Sequence, residues 1–124
     1  MTKKRAGRTQ SLFVTQIYRA GIGGTKTHGL NEALHKTCLA IAAEDRAGQR
    51  WCKAHHYKGY TSYASLDDLP MRASVFAELQ HHLDGHVAAF ARALEFDLGR
   101  RRLRLDSLWI NRFAPKQSTG SLFQ

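Results

Sequence analysis

Residues 102–124 read RLRLDSLWINRFAPKQSTGSLFQ, and this stretch decides the fold. It begins as a strand. Leu103, Leu105, Ser107 and Trp109 alternate with Arg104, Asp106, Leu108 and Ile110, so the first residues offer one apolar face and the last ones are apolar on both. A strand apolar on both faces expects neighbours above, below and beside it. The residues that follow are mostly polar, include Pro115 and, beyond Phe113, offer only Leu122 and Phe123 as large apolar groups. The expectation is a strand from Leu103 to Ile110 with an open edge, and an open edge invites another chain.

Upstream of that strand lies the most regular stretch of the sequence. Val75, Phe76, Leu79, Leu83, His86, Val87, Phe90 and Leu94 keep one apolar face and predict a long helix, with Gly99 as its C-terminal glycine. Gly85 inside it costs ~1 kcal/mol relative to alanine, which suggests that another element comes close there. In "SLDDLP", Asp67 or Asp68 can cap a helix that has Pro70 in its first turn. A second amphipathic helix is predicted from Leu30 through Leu34, Cys38 and Ile41, with Gly48 as a stop. Between the two helices, QRWCKAHHYKGYTSYASLDDLP has no clean period; it reads as a long ordered loop, with room for one short strand. Its aromatic residues from Trp51 to Tyr63 either line a substrate channel or, the favoured reading, serve as packing area across the long helix. Near the start, Leu12, Phe13, Val14, Ile17 and Tyr18 read as a short strand ending in the turn "GIGG". Residues 1–10 are a basic tail, expected to fray.

Composition bounds the rest. The chain has 124 residues, 43% hydrophobic and 23% charged, which fits one globular domain. Apolar runs fall short of the ~20 residues needed to cross a bilayer, and the basic start does not lead into a signal-peptide pattern. Two cysteines, Cys38 and Cys52, are too few for a disulfide framework, so the expected compartment is the reducing cytoplasm. The formal charge of +9 is the strongest compositional signal. Lys3, Lys4, Arg5 and Arg8 lie in the tail, and Arg100, Arg101, Arg102 and Arg104 form a block that could contact an anion, while the other cations are scattered among acids. No helix-turn-helix, RNP or zinc-finger pattern accompanies the block, so specific nucleic-acid binding is not expected.

Histidine patterns do not assemble into a metal site. His82 and Asp84 have the spacing of the two-His, one-carboxylate triad that holds non-haem iron, but positions two apart on a helix diverge and cannot share an ion. His82 and His86 could share zinc, yet no further ligand pair lies near; Cys52 with His55 and His56 likewise lacks a second pair. GxSxG, Walker and dinucleotide fingerprints are absent from the sequence.

Taken in order, EDRAGQRWC (44–52), GYTSYASLDDLP (59–70), the long helix and LRLDSLWIN (103–111) are similar to a known pattern. They resemble the N-terminal half of a bacterial family of 2-oxoglutarate and Fe(II)-dependent oxygenases, most of them uncharacterised. The resemblance spans residues 11–111. It implies an α+β fold: an N-terminal strand, two main helices and a C-terminal strand, forming the helical support of a double-stranded β-helix, or jelly roll. It implies Fe(II) and 2-oxoglutarate as cofactors of the intact family. In those relatives the metal-binding histidines arrive a short way after the WIN strand, followed by a cosubstrate arginine.

Residues 112–124 depart from that pattern, keeping only Pro115, Ser118, Thr119 and Gly120 in register. No catalytic residue, metal ligand or 2-oxoglutarate arginine can therefore be carried over, and this chain is expected to hold no cofactor. The sequence expectation is an oxygenase interrupted before its metal site by a frameshift or premature stop, inactive alone and prone to self-association through Leu103 to Ile110. Two other expectations stand beside it: a small basic protein using Arg100, Arg101, Arg102 and Arg104 on nucleic acid or another anion, and a structural protein whose exposed strand recruits a sheet partner.

Overall fold

The computed structural model describes residues 6–22, 27–113 and 115. Of the two expected tails, the basic start is covered only from Ala6, and the C-terminal one only at Arg112, Phe113 and Pro115. Helices α1 (Thr27–Glu44) and α2 (Arg46–Ala54) come first. Strand β1 (Tyr60–Thr61), the short α3 (Leu69–Arg72), the long α4 (Ser74–Ala93) and strand β2 (Asn111–Arg112) follow. No described helix is long and apolar enough to cross a membrane.

The amphipathic face of α1 packs as its spacing requires, whereas of the face read for α4 only Val75 and Phe76 join the core and Val87 stays exposed. Leu30 and Ala42 of α1, Cys52 of α2, Tyr60 of β1, Leu69 of α3, Val75 and Phe76 of α4, and Ile110 form one buried cluster. Leu34, Cys38 and Ile41 lie half-buried against it, completing the face read for α1. The first helix does not run to Gly48, however. It ends at Glu44, and Asp45 turns the backbone and caps a new helix by accepting a bond from the Gly48 amide at 3.0 Å. Gly48 is buried inside that first turn, where a β-carbon would run into the Asp45 carboxylate and the Ser65 hydroxyl. A glycine that looks like a stop is there because two side chains occupy the space beside it.

Helices α2 and α4 both finish on non-glycine residues in the left-handed region. In α2, His56 has φ 53°, its amide bonds to the Lys53 carbonyl, and the Tyr57 amide bonds back to Cys52 at 2.8 Å. In α4, Glu95 has φ 58°, its amide bonds to Arg92, and the Phe96 amide bonds back to Ala91 at 3.1 Å. These are Schellman ends, usually built on glycine. The α4 stop therefore falls at Glu95, and Gly99 lies in the following turn instead. Replacing exposed Glu95 with glycine is expected to stabilise the fold by about 0.5–1 kcal/mol, because the left-handed conformation penalises a β-carbon. Urea unfolding would measure it, and a loss of stability would contradict this account of the helix end. Gly85 has open space around it, so it marks no close approach.

The α+β, jelly-roll expectation is overturned. Helix accounts for 49% of the described residues, and the sheet found among them has two strands of two residues each. Tyr60 pairs with Arg112 and Thr61 with Asn111 in antiparallel register. Residues 12–18 form no strand and bend at Phe13, whose φ is 56°, and Leu12, Phe13, Val14 and Ile17 are exposed. Within this segment Tyr18 is the anchor, its hydroxyl 2.7 Å from His86 Nδ1 and its ring 5.5 Å from Phe90 on α4. Leu103 to Ile110 is extended without a ladder, and burial along it is confined to Ile110 and, less completely, Leu105 and Leu108. Strand-like composition supplies side chains that suit a sheet, but a strand needs a neighbour to form its backbone bonds.

Ile110 is held by a single residue of the GYTSY motif. Ser62, fully buried, donates its amide to the Ile110 carbonyl at 3.0 Å and accepts the Ile110 amide on its hydroxyl at 2.8 Å. Beyond it, Tyr63 packs edge-on against Trp109 at 5.2 Å. The aromatic segment thus braces the C-terminal chain, and its Tyr60 also joins the cluster that holds Val75 and Phe76 of α4. Changing Ser62 to alanine leaves the Ile110 amide without its acceptor, and a loss of about 1–3 kcal/mol is expected on urea unfolding.

Candidate functional site

The arginine block sits in the turn after α4, exposed to solvent. Arg101 and Arg102 line a cleft of about 490 Å³ together with Arg92 and the half-exposed Phe96. Arg92 is brought in by the helix end, a partner that spacing along the chain did not suggest. Arg100 and Arg104 are not among the lining residues, and Asp84 and Asp97 face the same cleft, offsetting much of its charge.

The histidines are dispersed onto separate partners. His86 bonds to Tyr18, and His82 packs beside His81 at 6.1 Å. His55 stacks on Trp51 at 4.2 Å with its Nδ1 2.9 Å from the Trp51 carbonyl. Cys52 is buried and accepts the Thr61 amide on its sulfur at 3.4 Å, so Cys52 and His55 serve different neighbours. Among the described residues no three His, Cys, Asp or Glu side chains come together as a metal-binding group. The two-His, one-carboxylate set that Fe(II) requires in such oxygenases is thus not assembled among the described residues.

The most connected polar group was not singled out by the sequence. Asp45 accepts bonds from the Gly48 amide, from the Tyr60 hydroxyl at 2.7 Å and from the Ser65 hydroxyl. Burial alone would raise its pKa, but the bonds from Ser65, Tyr60 and Gly48 and the charge of Arg72 outweigh it and lower the carboxyl below its usual value. The Tyr60 phenol is pushed up, first by burial and then by its bond to Asp45. Burial also raises the Cys38 thiol. A serine, a tyrosine and an aspartate in a row could suggest a nucleophile relay. Here the carboxylate instead ties the start of α2 to β1 and to the residues after it, and Ser65 lies between Asp45 and the Ser62 carbonyl.

A second cleft, of about 650 Å³, opens between the end of α1, α2 and the β1–β2 pair. Lys53 and Arg112 line it, with Tyr57 and Phe113 as aromatic walls whose rings lie 6.2 Å apart. Gly59, at φ 109°, lets the chain pass so close to the Arg112 carbonyl that a β-carbon would collide with it. No local motif announces this cleft, because its two cations come from distant stretches of the sequence.

No family model matches the chain, and no curated protein matches it. The resemblance to the oxygenases therefore rests on the quoted motifs alone.

Proposed function

We propose that this chain is an oxygenase-related scaffold that performs no oxidation alone and holds its C-terminal extended segment ready for a sheet-forming partner. The observation that carries the proposal is the pairing of Ser62 with Ile110. The two motifs that resemble the oxygenases, GYTSYASLDDLP and LWIN, are bonded to each other through these buried residues. Leu69 of the first motif is also fully buried, and Asn111 of the second pairs with Thr61. The motifs thus share a positioning role, while the donor set for iron is not assembled among the described residues. Leu103 and Trp109 remain 45% and 43% exposed, which leaves apolar surface for a partner, a second copy of the chain included. The free cysteines, Cys38 and Cys52, are compatible with a reducing cytoplasm as the place of action.

The test is succinate release from 2-oxoglutarate by the purified chain supplied with Fe(II) and ascorbate under air. The expected result is no release above the protein-free background. Release that disappears when Fe(II) is omitted would overturn the proposal.

A second reading, binding to a polyanion, is supported by Arg92 joining Arg101 and Arg102 around one cleft. Duplex DNA binding that falls steeply with salt and weakens in Arg101→Gln would favour it over the scaffold reading.

A further inference from the structure

We infer that the cleft between α2 and the β1–β2 pair is a binding site for a small planar aromatic compound carrying one anionic group, phosphate or carboxylate. Its volume, about 650 Å³, falls in the range of sites that enclose small ligands. Its charge is one-sided. Lys53 and Arg112 line it, and no Asp or Glu is among the described lining residues. Among the described residues the ion pair is Arg72 with Asp68, so neither Lys53 nor Arg112 has a carboxylate within the 4.0 Å of such a pair. Asp45, which bonds to the Tyr60 hydroxyl, opens onto a different cleft together with Glu44, Arg46 and Arg72.

The walls decide what accompanies the anion. Tyr57 and Phe113 present ring surface with an interplanar tilt of 32°, and Trp51 backs Tyr57 at 6.3 Å. Flat π-surfaces beside two cations suit a flat ring with a negative group better than a flexible aliphatic acid. Ala42 and Ala43, small side chains at the end of α1, leave the volume open. Gln49 fixes that wall by donating its amide to both their carbonyls, at 2.7 and 3.0 Å. The site is distinct from an oxygenase cosubstrate pocket in what it would select, since 2-oxoglutarate has the charge but no ring.

The probes are adenosine monophosphate and 4-hydroxybenzoate, which distinguish a phosphate from a carboxylate head, with adenosine, inorganic phosphate and 2-oxoglutarate as comparisons. Binding would be followed on the full chain at low ionic strength by NMR chemical-shift titration. Saturable binding of at least one probe is expected. Removing either the ring or the charge should weaken it about ten-fold or more, as for loss of a charge-assisted bond. Lys53→Gln and Arg112→Gln should each weaken it several-fold without lowering the unfolding midpoint, since both side chains are exposed. Arg101→Gln, on the other cleft, should leave it unchanged. Absence of saturation by both probes, equal affinity for 2-oxoglutarate, or insensitivity to Lys53→Gln and Arg112→Gln would overturn the inference.

Discussion

Replacing Phe76 with alanine is expected to destabilise the chain by about 3–5 kcal/mol, the range for a buried phenylalanine that leaves a cavity. Phe76 stands in the first turn of α4 at 3% exposure and belongs to the cluster that also holds Leu69 and Ile110. That cluster joins residues from all four described helices, β1 and the C-terminal segment, so a cavity in it loosens contacts between several elements at once. Domains of this size are stable by only about 5–15 kcal/mol, and the substitution should remove a large fraction of the urea midpoint. Phe13→Ala provides the contrast. Phe13 is wholly exposed, and the same chemical change there should move stability by no more than about 0.5 kcal/mol. Equal effects at the two positions would mean that the core lies elsewhere.

The second large effect is expected at Asp45. Asp45→Ala removes the cap of α2, leaves the Tyr60 hydroxyl without its acceptor and leaves Ser65 only its longer bond to the Ser62 carbonyl, for a loss of about 2–4 kcal/mol. Asp45→Asn keeps a side-chain oxygen for the cap and should cost about half as much. The pH dependence has a definite sign. The folded carboxyl titrates below the unfolded value of about 3.9, so its contribution is present in full above that value and is lost as pH falls through the folded pKa. The gap between wild type and Asp45→Asn should therefore narrow below about pH 4. Tyr60 acts at the opposite end. Its folded pKa lies above the unfolded value of about 10, so its contribution is present below that pH and falls away above it. Urea midpoints measured from acid to alkaline pH would test both flanks.

The face of α1, the presence of the long helix α4 and the position of Pro70 were legible in the sequence because each is a local pattern. Leu30, Leu34, Cys38 and Ile41 lie three or four apart, and Pro70 falls in the first turn of α3. Helix α2 escapes the reading because Gly48 resembles a stop, although Gly48, Trp51 and Cys52 share one side of the helix and Asp45 caps it locally through the Gly48 amide. Only the bonds from Asp45 to Tyr60 and Ser65, fifteen and twenty residues away, are beyond local pattern. The ends of α2 and α4 were missed for a related reason. Nothing in the identity of His56 or Glu95 marks a left-handed residue, and Gly99 drew attention away from Glu95.

The two strand expectations misled differently. Leu12–Tyr18 and Leu103–Ile110 have the side chains of strands, but β structure depends on what lies alongside, which composition does not record. The jelly-roll expectation came from family resemblance and exceeds what the described residues form. For the candidate sites, the block at Arg100–Arg104 was visible as a run of charge. Arg92 beside it, and Lys53 with Arg112 on the other cleft, become neighbours only through folding.

The central claim is that Ser62 fastens the C-terminal segment at Ile110 and leaves the residues before it unpaired. Native-state hydrogen exchange of individual amides tests this most directly. The Ile110 and Ser62 amides should exchange slowly, while those of Leu103 to Leu108 exchange near the rate of unstructured chain. Uniform protection from Leu103 to Ile110 would contradict the account, because it would mean that the segment already has a strand partner in solution.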